Sequence, residues 1–147
     1  MVERRAQEHG ISVYKGRVKC ELFYEMYERL WSPDLCISAT FGQRIDARLF
    51  NFPELGFFNI HPCADDGWPS KYAGPNPFRA LMIDGQKHTV AALHRIGEGF
   101  DTGELMAVSG RIAVPPDATV IDMHKITSPM FARFAITELV KLSKAGA

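Results

Sequence analysis

Three side chains in this sequence could share one piece of chemistry: Asn59, His61 and Asp101. The run Phe57-Phe58-Asn59-Ile60-His61-Pro62 is apolar but carries an amide and an imidazole at alternate positions. If it is a strand, both groups lie on the same side of it, because strand side chains repeat every two residues. Asp101 follows in a glycine-bearing loop, Gly99-Phe100-Asp101-Thr102-Gly103. An amide, an imidazole and a carboxylate gathered at one strand end can polarise a carbonyl, move a proton and fix the imidazole. Each residue also has a plainer reading. An asparagine at a strand end can cap its own backbone, an aspartate between glycines can form an Asx turn, and a histidine before proline can be structural. His94, inside a later apolar run, reads as a packed or hydrogen-bonded residue rather than a catalyst. Trp68 and Tyr72 either stack on a bound molecule or anchor the loop that carries them.

The elements around these residues follow from pattern. Met1 to Gly10 reads as the end of a polar-faced helix closed by Gly10. Ile11 to Tyr14 is a short β-prone run. Val18, Leu22, Met26 and Leu30 recur at four-residue spacing and predict an amphipathic helix ended by Ser32-Pro33. Asp34 to Thr40 is a continuous apolar run, as expected for a strand buried on both faces. Asp46 to Phe50 predicts one or two helical turns, and Gly56 to Ile60 the next strand. Cys63 to Pro77 is rich in glycine and proline and reads as a long loop, a feature that in compact domains is usually functional or disordered. Pro77 can open a helix that runs to about Asp84, where Gly85 stops it. His88 to Ile96 and Glu104 to Val114 predict two strands joined by the Gly97 to Gly103 loop. From Thr119 on the chain reads as helical, with Pro129 at a break or a helix start. Early alternation of strand and helix implies a parallel sheet with helices on both faces, and the late strand pair can be antiparallel.

Length and composition bound the function. The 147 residues predict one domain over 1–147. Hydrophobic residues make up 46% and charged residues 23%, with a formal net charge of zero, so nothing suggests a surface for nucleic acid or anionic membrane. Cys20, Cys36 and Cys63 include no CxxC pair, which favours a reduced, cytoplasmic setting and argues against structural zinc. No apolar run approaches the roughly 20 residues that span a bilayer, and the N-terminus lacks the apolar core of a signal peptide. A serine hydrolase is disfavoured because no G-x-S-x-G elbow is present.

Taken together, the motifs resemble a known family. Pro33-Asp34-Leu35 through Phe41-Gly42, and then Leu55-Gly56-Phe57-Phe58-Asn59-Ile60-His61-Pro62, resemble the core of the folate-dependent formyltransferases. Tyr72-Ala73-Gly74-Pro75-Asn76-Pro77 is similar to that family's Tyr-Arg-Gly loop and following proline. His88 to His94 and Glu98-Gly99-Phe100-Asp101-Thr102-Gly103 are similar to its last active-site strand and Asp-x-Gly loop. The resemblance covers about residues 8 to 113. It implies an α/β, Rossmann-like, mostly parallel sheet and transfer of a formyl group from 10-formyltetrahydrofolate to a small-molecule amine, such as a sugar amine. Asn59, His61 and Asp101 would be catalytic. Phe41, Arg44, Ile45, Gly99 and Phe100 would line the folate site.

Three departures stand out. Cys63 replaces the family's usual serine, the stretch from Ala64 to Trp68 carries an insertion, and the family's opening strands are absent. The chain is therefore expected to be a short form or fragment shortened at its N-terminus, with the Asp34 to Thr40 strand left at an open edge. Such an edge is a template for association, so a homo-oligomer, most simply a dimer, is expected. The alternatives from sequence are a short form that lacks catalysis or acceptor binding, and a hydrolase acting on formyl-folate.

Overall fold

A computed structural model describes residues 2–65 and 67–145, the side chains of Val2 and Ala145 excepted. Helix α1 (Val2–Glu8) is closed by Gly10 in the left-handed region, φ 66°, where the N–H of Ile11 donates to the Ala6 carbonyl at 2.8 Å. A β-carbon is disfavoured in that backbone conformation, which is why glycine ends the helix. Ile11 to Tyr14 is not a strand. Without a ladder partner its β-prone residues stay irregular, and Tyr14 packs on Phe23 instead.

Helix α2 (Glu21–Glu25) continues as a π-helical stretch, Met26–Trp31. The predicted helix is present, but the stripe it buries differs. Leu22 and Leu30 are 62% and 72% exposed, while Phe23, Tyr24 and Tyr27 are buried. Ring contacts of Phe23 with Tyr14, Tyr27 and Trp31 hold this aromatic face together. Bulk decided the orientation, since an aromatic ring removes more apolar area from water than a leucine.

The sheet contains β1 (Leu35–Ala39), β2 (Gly56–Cys63), β3 (His88–Arg95), β4 (Leu105–Val108) and β5 (Ile112–Ala113). Its order is β1-β2-β3-β4, with β5 also paired to β3. β1 and β2 are parallel, Leu35 opposite Gly56 through Ala39 opposite Ile60. β2 and β3 are antiparallel, as are the pairings of β3 with β4 and β5. The α/β, Rossmann-like class holds, with the parallel pairing at the β1–β2 end. Cys63, the last residue of β2, lies opposite Val90, near the start of β3. The intervening α4 (Pro77–Ile83) therefore leaves and returns at the same end of the sheet, which makes the strands antiparallel.

Strand β2 runs further than its sequence suggests and includes Pro62. Pairing with β1 stops at Ile60, so beyond it, among the described residues, one flank of β2 has no neighbouring strand and a residue without an N–H is tolerated. β1 is not buried on both faces: Ile37 is 41% exposed. Among the described residues β1 pairs only with β2, which makes it an edge.

Helices cover both faces. On one, Phe58, Ile60, Ala91 and Leu93 pack against α4 and the long helix α5 (Val120–Ala145) through Phe78, Leu81, Met123, Phe131 and Ala135. On the other, α2 and the short α3 (Ala47–Phe50) cover Cys36 and Phe57 through Phe23, Tyr27 and Leu49. Pro129 lies inside α5 rather than at a break. The adjacent hydroxyls of Thr127 and Ser128 donate back to the Met123 and His124 carbonyls, at 2.8 and 2.5 Å.

Among the described residues no helix is long and apolar enough to cross a membrane.

Candidate functional site

The helical cover of the second sheet face extends to Phe57. The next two residues on that face are Asn59 and His61, by the period of the strand. Beyond them a small apolar cluster begins, Cys63, Val90 and Ala92 with Trp68 and Leu105. Polar groups thus occupy a gap between two apolar clusters. β3 runs opposite, placing His94 beside Asn59 and the small Ala92 beside His61.

Asp101 enters this gap from the loop between β3 and β4. Its backbone is left-handed, φ 48°, a conformation that aspartate tolerates better than most residues. The loop closes tightly, because a β-carbon on Gly103 would overlap the Arg95 carbonyl. Asn59 Nδ2 donates to Asp101 Oδ1 at 3.1 Å, and Asp101 Oδ2 lies 3.5 Å from His61 Nδ1. The three residues singled out in the sequence therefore meet.

His94 joins them as a packed, hydrogen-bonded residue. Its Nδ1–H donates to the Arg95 carbonyl at 2.9 Å, which leaves Nε2 to accept from Asn59 Nδ2 at 3.1 Å; this tautomer is assigned from the hydrogen-bond network. His94 Nε2 also stands 3.5 Å from Asp101 Oδ1. His94 is both a buried, hydrogen-bonded residue and a member of the cluster. The sequence signal was a histidine inside an apolar strand, which needs a polar partner, but only the strand register shows that the partner is Asn59.

Segment 67–74 supplies backbone groups that side-chain reasoning could not identify. The Tyr72 carbonyl accepts from His61 Nε2 at 3.0 Å, and the Gly74 N–H donates to Asp101 Oδ2 at 3.2 Å. Trp68 and Tyr72 act as anchors: Trp68 Nε1 donates to the Gly103 carbonyl at 2.9 Å while its ring lies 4.7 Å from that of His94. The Tyr72 hydroxyl donates to Asp84 at 3.0 Å.

Burial would push the Asp101 carboxyl up. The adjoining imidazoles of His94 and His61 and the Gly74 N–H outweigh it and hold the carboxyl below the usual aspartate range. Asp101 is thus a carboxylate at neutral pH, an anion facing two imidazoles and an amide.

Of the residues expected to line a cofactor site, Phe41 and Phe100 are exposed, and Arg44 links their loops. Its guanidinium donates to the Glu98 carbonyl at 3.4 Å and lies 5.8 Å from the centre of the Phe100 ring. Ile45 packs against the aromatic cluster of α2. Gly99 makes a tight turn, in which a β-carbon would overlap the Thr102 hydroxyl. A separate cavity of about 480 Å³, bordered by Arg111, Ile112, Met130, Arg133 and Phe134, lies between β5 and α5 and includes none of these residues.

Comparison with known proteins places these features in context. The family model described as formyl transferase matches residues 19–129. Methionyl-tRNA formyltransferase of Syntrophus aciditrophicus is 31% identical over 107 residues, which are 73% of this chain and 32% of that protein. Its namesake from Thermus thermophilus is 30% identical over 121 residues, 82% of this chain and 38% of that protein. The chain thus spans about a third of the length of these curated relatives. Among solved structures, phosphoribosylglycinamide formyltransferase from Streptococcus pneumoniae superposes with a TM-score of 0.75 at 17% identity, over 96% of this chain and 79% of that one. HypX from Aquifex aeolicus, solved in complex with tetrahydrofolic acid, gives a TM-score of 0.66 at 18% identity, over 84% of this chain and 20% of that one.

Proposed function

The chain belongs to the formyl transferase family, and from that premise we propose that it transfers a formyl group from 10-formyltetrahydrofolate to an amine, using Asn59, His61 and Asp101. One observation carries the reading: the Asp101 carboxylate lies 3.1 Å from the Asn59 amide nitrogen and 3.5 Å from the His61 ring nitrogen, over the sheet face that carries both. The folate would supply the formyl group. The loops 41–46 and 97–101 fit it, since they present exposed Phe41 and Phe100 across the Arg44 link. Moreover, among the described residues, residues 41–45 make no backbone–backbone hydrogen bond. Main-chain donors and acceptors there are open to a heterocycle that carries both.

Asn59 is the electrophilic group. Both hydrogens of its Nδ2 are committed, one to His94 and one to Asp101. To stabilise charge that develops on a formyl oxygen, it exchanges the Asp101 contact for that oxygen and keeps the one to His94. Donors of this kind are worth about 3–4 kcal/mol in the transition state. His61 has Nε2 on the Tyr72 carbonyl and Nδ1 toward Asp101. That placement lets Asp101 orient the ring, which can accept the amine's proton or, when charged, add positive charge beside the oxygen. As the amine bonds to the formyl carbon and that carbon's bond to the folate nitrogen breaks, the proton lost by the amine would go to the departing tetrahydrofolate nitrogen, and Asp101 balances charge beside His61. Its lowered pKa keeps it ionised for that role.

The acceptor is proposed as a small amine, a sugar amine among the candidates, with methionyl-tRNA tested beside it because the curated relatives carry that name. The test is incubation with 10-formyltetrahydrofolate and an amine panel, following released tetrahydrofolate and acceptor mass separately. Formylated acceptor is the expected result. Tetrahydrofolate released with formate alone would replace transfer by hydrolysis, and no release would make this a non-catalytic member. The open β1 edge supports a homodimer, which a monomer in sedimentation at micromolar concentration would rule out.

A further inference from the structure

The segment between β1 and α3 has no main-chain ladder to hold its shape. Among the described residues, no backbone–backbone hydrogen bond involves residues 41–45. Side chains set its path instead. Gln43 Nε2 donates to the Gly16 carbonyl at 2.9 Å, and the N–H of Val18 donates to Gln43 Oε1 at 3.1 Å. Both ends of one amide are thus bonded to main-chain groups two residues apart. At the far end, Asp46 accepts from the Leu49 N–H at 3.3 Å and from the Tyr24 hydroxyl at 2.5 Å. Between these ties lie Arg44, which crosses to Glu98 and Phe100, and Ile45, which enters the aromatic cluster.

We propose that Gln43 is a positioning residue for the donor site: it fixes the 41–46 main chain against segment 16–18 and thereby sets the affinity for the formyl donor. This rests on the folate reading above. The physical reason is preorganisation. A loop without a ladder must be ordered either when the protein folds or when ligand binds, and ordering at the second stage weakens binding. Two hydrogen bonds from one planar amide move that ordering to the first stage. Gln43 touches none of Asn59, His61, His94 or Asp101 among its hydrogen-bond partners, so its loss should spare the chemical step.

The experiment compares wild type with Gln43→Ala and Gln43→Glu. Steady-state rates are measured against formyl donor, together with titration of a non-reactive folate analogue and hydrogen exchange of the 41–46 amides. Gln43→Ala is expected to raise KM for the donor and Kd for the analogue about tenfold, with kcat within about twofold, as loss of a preorganising contact predicts. Exchange in 41–46 should quicken. Gln43→Glu keeps an acceptor for Val18 but sets a carboxylate against the Gly16 carbonyl, and should be no better than alanine. An unchanged KM and Kd, or a fall in kcat at constant KM, would overturn the assignment while leaving formyl transfer intact. Failure of the wild type itself to bind the analogue would overturn the folate reading, and this inference with it. Gln43→Asn, too short to bridge both groups, replaces alanine if that variant does not fold.

Discussion

The two faces of strands β2 and β3 differ in what they do with the same backbone. Phe58, Ile60, Ala91 and Leu93 form part of a dry apolar core under α4 and α5. On the opposite face of the same strands Asn59, His61 and His94 build the polar cluster. One face holds the sheet together through packing, and the other uses the rigidity so gained to place an amide and two imidazoles. Alternation along a strand separates stability from chemistry at a spacing of one residue. It also means that neighbouring substitutions should have different consequences.

The largest effect is expected on the apolar face. Phe58, fully buried, should on replacement by alanine destabilise the fold by about 3–5 kcal/mol, read by denaturant unfolding. A loss under about 1 kcal/mol would mean that this face is not the main source of stability. Next comes Asn59→Ala. It should lower kcat by about 100- to 1,000-fold, the typical cost of one oxyanion donor, while the unfolding midpoint moves far less than for Phe58→Ala. Equal damage to stability and rate would break the division between the faces.

The smallest effect is in the pH dependence of Asp101. Its folded-state pKa is lowered, so the folded state favours the carboxylate. That contribution is complete above the ordinary aspartate value of about 3.9 and is lost as pH falls through the lowered value. The melting difference between wild type and Asp101→Asn should therefore shrink as pH falls below about 4. A difference that grows as pH falls below about 4 would contradict the assignment.

Much of the architecture was legible in the sequence, for reasons that differ by element. Pro77 and Gly85 bracket α4 because each imposes a local backbone constraint. Asn59 and His61 could be placed on one side of β2 because strand period needs no tertiary information. What could not be read locally was competition between partners. Leu22 and Leu30 fit the helical pattern, but the aromatic stripe was buried in their place. Ile11 to Tyr14 had strand propensity and found no strand to pair with. His94 entered the cluster through register with β2, and the Tyr72 and Gly74 backbone groups entered through a loop path that no residue type announces.

The contacts of Asn59 have unequal anchorage, and that asymmetry has a kinetic meaning. His94 is a β3 residue whose ring is tied to the carbonyl of its own neighbour, whereas Asp101 sits in the irregular stretch between β3 and β4. When thermal motion opens the cluster, the contact to the loop should break first and the contact to the strand last, since loop hydrogen bonds open at lower free energy than those of core strands. The amide then keeps its aim while one hydrogen becomes available. Entry of an oxygen requires a brief excursion of a few residues, and the group that receives it does not need to search for its orientation.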